Sequence, residues 1–213
     1  MPCPECKAIN RAGANFCDNC GHNLQFFNNE EIIPTFDTTL DGERKHVTVL
    51  FSDLTGYTEM SEKLDPEEVK AITTLLFNEM TKVIARYDGQ VSKYIGDAVM
   101  AVFGTQQARE DDPVRAIKAA SEIHYLVESF SSTSETKIGQ ILSMHSGINS
   151  GLVVTSETKL EKGFHGFVGD TINLASRLSS LADADEILVG PETFSQARGH
   201  FDLFQVAGIY ISH

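Results

Sequence analysis

Two aspartates each follow a short apolar run, and both are suited to binding metal ions. Asp53 follows residues 46–51, whose β-branched and aromatic side chains predict a buried strand. Asp97 follows residues 93–96, the end of a second predicted strand. A carboxylate at a strand end, followed by the free N–H groups of a helix start, suits a metal-bound phosphate. Two such carboxylates in one small domain predict two-metal chemistry on a nucleotide.

The elements that must position these aspartates follow the order βα-ββ-αβ, with further strands and helices behind. Gly96 and Asp97 form a two-residue turn between predicted strands, which projects Asp97 beyond the strand ends. Mixed hairpin and crossover connections predict an α+β sandwich whose helices cover one face of a mainly antiparallel sheet. The predicted strands span 44–53, 90–95, 98–103, 140–154, 186–189 and 201–211; the helices span 65–87, 111–130, 172–178 and 191–197, and 156–163 is a predicted hairpin tip.

All four cysteines lie in the first 20 residues, as two CxxC pairs separated by ten residues. This spacing is typical of a tetrahedral four-cysteine zinc site, although disulfides or redox dithiols are an alternative. The segment resembles small zinc ribbons with the pattern CPxC…GAxFCxxCG, which are structural or bind a partner that the sequence does not identify. We therefore expect a ribbon at 1–24, a linker at 25–43 and a main domain at 44–213. The predicted zinc ligands are Cys3, Cys6, Cys17 and Cys20.

Net charge, hydropathy and missing motifs disfavour several other functional classes. The chain has 213 residues and a net charge of −13, which disfavours a surface for nucleic acid. It contains no apolar run of transmembrane length and no N-terminal signal segment, so we expect a soluble cytoplasmic chain without a membrane segment. A Walker A loop, a GxGxxG after a strand and a GxSxG are also missing, which disfavours P-loop, dinucleotide and hydrolase functions.

Four sequence blocks, in order, resemble the class III adenylyl/guanylyl cyclase catalytic domain. They are VLFSDLTGYT at 49–58, GQVSKYIGD at 89–97, SGINSG at 146–151 and GDTINLASRL at 169–178. The resemblance implies a ferredoxin-like or palm-type βαββαβ sandwich with additional strands and helices. It also implies formation of a cyclic nucleotide and pyrophosphate from a nucleoside triphosphate, at sites built across a head-to-tail homodimer.

The resemblance assigns the metal and phosphate half of the site to the first two blocks. Asp53 and Asp97 would bind two Mg²⁺ or Mn²⁺ ions, and the backbone carbonyl of Leu54 would be a further ligand. Taken alone, Asp53 could instead cap a helix and Asp97 could simply occupy a turn. The amides of the next four residues would cradle phosphate: Thr55, Gly56, Tyr57 and Thr58.

The resemblance assigns the other half of the site, which contacts the ribose, α-phosphate and base, to three polar side chains. Asn173 and Arg177, four apart on a predicted helix, would hold the ribose and stabilise charge on the α-phosphate. Lys93 would read the base; as a pure donor it suits adenine N1, which predicts ATP over GTP. Taken alone, Asn173 and Arg177 could simply lie on the surface of a helix. Lys93 could be a solvent-exposed lysine on an edge strand. Lys93 and Asp97 share one hairpin but would serve different sites, so turnover would require a homodimer.

Three positions depart from the family pattern. Gly166 stands where a second base-reading side chain is usual, and His145 stands where an Arg commonly contacts phosphates. The last residues, 208–213, lack the usual Lys-Gly pair. These departures predict lowered activity or relaxed base choice. The sequence thus supports an adenylate cyclase in cyclic-nucleotide signalling, with a weak or inactive nucleotide-binding regulatory domain as the alternative.

Overall fold

The computed structural model describes residues 3, 5–11, 14, 16–20, 24, 43–138, 141–156, 166–201, 203–206 and 209–212. The chain divides into two compact units, Met1–Leu40 and Asp41–His213, which we describe separately. The predicted linker, up to residue 42, and most of the predicted hairpin tip at 156–163 lie outside the described residues. The ribbon and linker boundaries therefore stay predictions.

The larger unit is built on one eight-stranded sheet in the order β2-β3-β1-β4-β6-β8-β7, with β5 paired to β4. Its pairs are antiparallel except β4 with β6, which confirms the α+β class. The strands are β1 Arg44–Thr55, β2 Gln90–Ile95, β3 Ala98–Phe103, β4 Ser143–Ser156, β5 Gly166–Val168, β6 Ile187–Val189, β7 Leu203–Val206 and β8 Ile209–Ser212. The helices are α1 Tyr57–Lys63, α2 Pro66–Arg86, α3 Asp112–Ile138, α4 Asp170–Leu181 and α5 Pro191–Ala197.

Three elements differ in extent from the sequence prediction. β1 continues beyond Asp53, because its pairing with β4 runs on to Thr55 opposite Ser143. Asp53 therefore lies inside a paired strand rather than at its end. α3 continues past the predicted stop after Phe130 to Ile138. Its polar residues are accommodated within the helix, where the hydroxyls of Ser132 and Thr133 donate to the carbonyl of Ser129.

The helices cover both faces of the sheet, so the prediction that they cover one face was wrong. Alternation along β1 places Leu50 and Val49 on opposite faces. Leu50 belongs to the larger core, which includes buried residues of α2, α3 and α5. Val49 belongs to a second core with Ala175 of α4. α4, the helix that carries Asn173 and Arg177, therefore packs on the face of the sheet opposite α2 and α3.

The smaller unit has its own buried cluster of Cys3, Ala14, Cys17 and Leu24. The chain folds back at its first CxxC, where the amide of Lys7 donates to the carbonyl of Cys3 at 2.9 Å. The amide of Cys3 in turn donates to the carbonyl of Ala8 at 2.9 Å. This turn brings the two cysteines of the first pair to one side.

Among the residues that the structure describes, no helix has both the length and the apolar character needed to span a bilayer.

Candidate active site

The β1–β4 ladder places Asp53 directly opposite His145. The Asp53 side chain bends back, so that one carboxylate oxygen accepts a hydrogen bond from the amide of Leu54 at 2.9 Å. Its other oxygen lies 3.7 Å from Nε2 of His145. Nδ1 of the same imidazole lies 2.9 Å from the hydroxyl of Thr55. His145 is thus held at Nδ1, and its Nε2 lies beside the carboxylate.

Asp97 lies in the β2–β3 turn, as predicted, and is electrostatically coupled to Asp53. Burial raises the pKa of Asp97, and the negative charge of Asp53 raises it further. The charge of His145 acts in the opposite direction, since a cation favours the ionised carboxylate. Because the charge of Asp53 disfavours ionisation of Asp97, a divalent cation bound by both carboxylates would relieve the repulsion. The residues present therefore fit the metal ions that the sequence predicted.

A buried polar chain lies beneath this pair, on the opposite face of the sheet. The hydroxyl of Ser52 is 2.7 Å from that of Ser146, which is 2.8 Å from Nε2 of His124 on α3. Burial lowers the pKa of His124 to about 4, against a hydrogen bond with the backbone of Asp185, so the imidazole is neutral near pH 7. Sequence reasoning missed this chain, because nothing local marks its three members as neighbours.

Close packing against β4 positions α4, which carries Asn173 and Arg177. A Cβ on Gly147 would lie 2.1 Å from the amide nitrogen of Ser179 and 2.3 Å from the carbonyl oxygen of Ala175. Only glycine allows this approach of helix backbone to strand backbone.

Hydrogen bonds fix the start of α4 as well. The side-chain amide of Asn149 donates to the carbonyl of Thr171 at 3.3 Å. The hydroxyl of Thr171 donates to the carbonyl of Leu152 at 2.9 Å. Asn149 and Thr171 lie within two of the sequence blocks, but their role as supports of α4 was not predicted.

The predicted ribose and base residues are not joined to the aspartates within one chain. Asn173, Arg177 and Lys93 are all exposed, and none of their side chains makes a hydrogen bond or ion pair with another described residue. The strand register does place Lys93 on the α4 face, in one row with Met100, Phe51 and Gly147. The side chains are therefore available to a second molecule rather than used inside the first.

The predicted phosphate-binding residues form the junction between β1 and α1. Gly56 is left-handed, with φ of 89°, and directly precedes the first turn of α1. This conformation suits glycine and turns the chain so that Tyr57 and Thr58 begin the helix. First-turn amides have no partner inside a helix. Of the remaining candidate, Gly166, the structure gives the backbone position alone: it starts β5 opposite Ser156 of β4.

The four cysteines of the smaller unit come together as predicted. Their sulfurs all lie within 4.8 Å of one another, which makes them the most compact set of potential metal ligands among the described residues. Cys3 and Cys20, like Cys6 and Cys17, have sulfurs 3.6 Å apart, too far for a disulfide.

Hydrogen bonds favour the thiolate form of these cysteines. The backbone of Cys20 lowers the pKa of Cys17 to about 6, with help from the side chain of Asn10. Hydrogen bonds, first that from the backbone of Ala8, lower the pKa of Cys6. Thiolates are the form that binds zinc, so the cluster fits a four-cysteine zinc site.

A cavity of about 540 Å³ lies away from Asp53 and Asp97. Its lining includes Gln90 and Thr105, at the end of the β2–β3 pair remote from Asp97. Arg109 and Arg115 also line it, but both are paired with Asp88, at 2.8 and 3.1 Å. Because these cations are already neutralised, the cavity is a poor site for a triphosphate.

The sequence model of the adenylate and guanylate cyclase catalytic domain matches residues 41–211, which is most of the chain. The chain belongs to this family. The match covers Asp53, Asp97, His145 and α4, but not the cysteine cluster.

Relatives of this cyclase domain include both adenylate and guanylate cyclases. Adenylate cyclase 1 of Rhizobium meliloti (strain 1021) is 31% identical over 139 residues, covering 65% of the chain and 21% of the relative. Receptor-type guanylate cyclase gcy-8 of Caenorhabditis elegans is 34% identical over 136 residues, covering 62% and 12%. The chain thus spans only a small part of these relatives. Family membership alone leaves the choice of base open.

Solved structures confirm the fold. The adenylyl cyclase CyaB from P. aeruginosa superposes with a TM-score of 0.74 and 30% identity, covering 82% of this chain and 96% of that one.

Proposed function

We propose that this cyclase domain is an adenylate cyclase, which converts ATP to 3′,5′-cyclic AMP and pyrophosphate. The observation that carries the proposal is the convergence of two carboxylates from separate elements. Asp53 comes from the sheet strand β1 and Asp97 from the β2–β3 turn, and the charge of Asp53 contributes to the raised pKa of Asp97. A surface turn and a helix cap would have no reason to be brought together.

The aspartates would hold two Mg²⁺ or Mn²⁺ ions, with the carbonyl of Leu54 as a further ligand. When bound, these cations would acidify the ribose 3′-hydroxyl and neutralise the triphosphate. The amides of Thr55 to Thr58 would hold phosphate oxygens at the start of α1. Within this scheme, the protein orients the 3′-oxygen for in-line attack on the α-phosphorus.

The second half of the site would come from a partner subunit. Arg177 would stabilise the charge that develops on the α-phosphate, because a guanidinium fork matches two phosphate oxygens. Asn173, on the same face of α4, would hold the ribose. Lys93 would donate to adenine N1, which is an acceptor, whereas guanine N1 carries a hydrogen. Gly166 offers no side chain for the base, so selection would depend on Lys93 and the backbone.

The test of this function is the product formed from each nucleotide. Purified protein with Mn²⁺ or Mg²⁺ is given ATP or GTP at equal concentration, and cyclic AMP and cyclic GMP are quantified. We expect cyclic AMP to predominate. If no product exceeds that of Asp53→Ala at high protein concentration, the chain is a nucleotide-binding regulatory domain instead. The departures at Gly166 and His145 favour that second candidate.

Mixing two inactive variants would test the shared site. Asp53→Asn removes the metal half, and Arg177→Ala removes the partner's half, so each alone should be nearly inactive. In a hybrid dimer one site receives both changes, and the other site is intact. Equal mixing should give about half hybrids, hence about one quarter of wild-type activity. Activity is measured after reassortment of the subunits.

Two controls belong to this experiment. Mixing Asp53→Asn with Asp97→Asn should restore nothing, because both changes fall on the same half. Full activity of Arg177→Ala alone would contradict the proposed role of α4, and failure of the first mixture would contradict the shared site.

The cysteine cluster would hold one structural Zn²⁺ per chain. We expect native mass spectrometry to find one zinc ion in the wild type and none in Cys17→Ser, since three ligands bind zinc far more weakly. Asp18→Asn is the control, because Asp18 lies between ligands and its exposed side chain is not one of them. Zinc retained by Cys17→Ser, or a disulfide in the wild type under reducing conditions, would contradict the assignment. The partner of this ribbon stays unidentified.

A further inference from the structure

We infer that His145 is itself a ligand of a divalent cation shared with Asp53, and that it makes the site prefer transition-metal ions such as Mn²⁺ over Mg²⁺. This inference deepens the proposed function, since it assumes that Asp53 binds a metal. It assigns His145 a different role from the phosphate contact that its position in the third block predicts.

The distance between the two groups suits one shared ion. Nε2 of His145 and the outer carboxylate oxygen of Asp53 are 3.7 Å apart. Two ligands of one octahedral ion, each about 2.1 Å from it, stand about 3.0 Å apart when adjacent and about 4.2 Å apart when opposite. A separation of 3.7 Å lies between these limits, and it is too long for a direct hydrogen bond. The observed spacing matches neither arrangement, so a small rotation of the open Asp53 carboxylate would bring both groups onto one ion.

Thr55 orients the imidazole for this role. Its hydroxyl lies 2.9 Å from Nδ1 of His145, so Nδ1–H can donate to it. In the neutral imidazole with its proton on Nδ1, the lone pair of Nε2 would face Asp53, as a shared metal ion requires. Metal-binding histidines nearly always use their second ring nitrogen in this way, which fixes both tautomer and ring orientation.

The sheet holds all three residues in this arrangement. Asp53 pairs with His145 and Thr55 pairs with Ser143 in the same antiparallel ladder, so their spacing is set by the backbone. The imidazole is 19% exposed, which leaves little room for another rotamer, while Asp53 is 37% exposed and open to solvent. An ion can therefore enter from the solvent side and meet ligands that are already in place.

The choice of ligand atoms determines the preferred ion. Mg²⁺ takes oxygen ligands almost exclusively, whereas an imidazole nitrogen favours first-row transition ions. An arginine at this position would repel a cation and bind phosphate. The histidine changes a phosphate contact into a metal contact, and so changes which ion the site selects.

The experiment uses Mn²⁺ alone, without nucleotide, on the full chain with its zinc in place. Pulsed EPR of bound Mn²⁺ should show the ¹⁴N coupling of a directly ligated imidazole. The coupling should vanish in His145→Gln, and the Kd for Mn²⁺ should rise about tenfold or more, as expected when a metal site loses such an interaction. The Kd for Mg²⁺ should change much less. His145→Arg, a second variant, should also lose the coupling.

His46→Gln is the matched control. His46 lies on the same strand as Asp53, seven residues away, where it pairs with Glu192 at 2.7 Å. It should keep both the ¹⁴N coupling and the Mn²⁺ affinity. A wild type that binds Mn²⁺ without ¹⁴N coupling, or a coupling that survives in His145→Gln, overturns the inference and leaves the proposed function standing. Unchanged Mn²⁺ affinity in Asp53→Asn overturns the proposed metal site instead.

Discussion

Asp53→Asn is expected to lower the rate of cyclic AMP formation by about a thousandfold, because a metal ion contributes several kcal/mol to phosphoryl chemistry. The substitution keeps the shape of the side chain, and the carbonyl oxygen of Asn can still accept from the amide of Leu54. It removes the charge that would bind the cation. The rate is measured at saturating ATP and Mn²⁺, together with the melting temperature, which should hardly change.

Asp65→Asn is the matched control for this experiment. Asp65 precedes α2 but its exposed side chain makes no capping hydrogen bond, so the same chemical change there should leave the rate unaltered. A further readout is the pKa of Asp97, which should fall in Asp53→Asn because the charge that raises it has gone. If Asp53→Asn turned over at the wild-type rate, the proposal that Asp53 binds a catalytic metal ion would be contradicted.

Gly147→Ala is expected to destabilise the cyclase domain by about 3 kcal/mol and to abolish activity. The added methyl would lie 2.1 Å from the backbone nitrogen of Ser179, so no side-chain rotation can relieve the clash. α4 must move away from β4, which displaces Asn173 and Arg177 together. For a chain of this size, about 3 kcal/mol corresponds to a fall in melting temperature of roughly 6–12 °C.

Gly199→Ala separates this packing effect from a general effect of losing glycine. A Cβ at Gly199 would have no atom within 4 Å, so that variant should melt and turn over like the wild type. Calorimetry measures the melting temperatures of both variants, and the cyclic AMP assay measures their rates. Equal melting temperatures for the two variants would show that α4 does not depend on the close approach at Gly147.

Elements with strong local signals were predicted well from sequence. The hairpin of β2 and β3 was placed with its correct bounds, because a Gly-Asp turn precedes the continuous apolar run of 98–103. The start of α2 was also correct, since Pro66 at the first position excludes most alternatives. The extent of β1 and α3 could not be predicted in this way. Long-range pairing extends β1, and the serine-rich end of α3 is accommodated within the helix by internal hydroxyl bonds.

The residues of the candidate site likewise divide into those with a local sequence signal and those whose contacts depend on long-range pairing. The aspartates, the loop after them and the α4 side chains could be selected from sequence, since each lies in a short block; their catalytic roles stay predictions. The contacts of His145 could not be selected, because they depend on pairing residues about 90 positions apart. The same holds for Ser52, Ser146 and His124, whose chain crosses from the sheet to a helix.

The alternation along β1 also ties metal binding to correct folding. Ser52, which contacts the imidazole of His124 through Ser146, and Leu54 face one side of the sheet, and Asp53 between them faces the other. A slip of one residue between β1 and β4 would turn Asp53 into the apolar layer and Leu54 out to water. Burying an ionised carboxylate there is prohibitive. The charge of Asp53 therefore disfavours misaligned pairing of β1 with β4. Loss of this charge would permit misaligned species during folding.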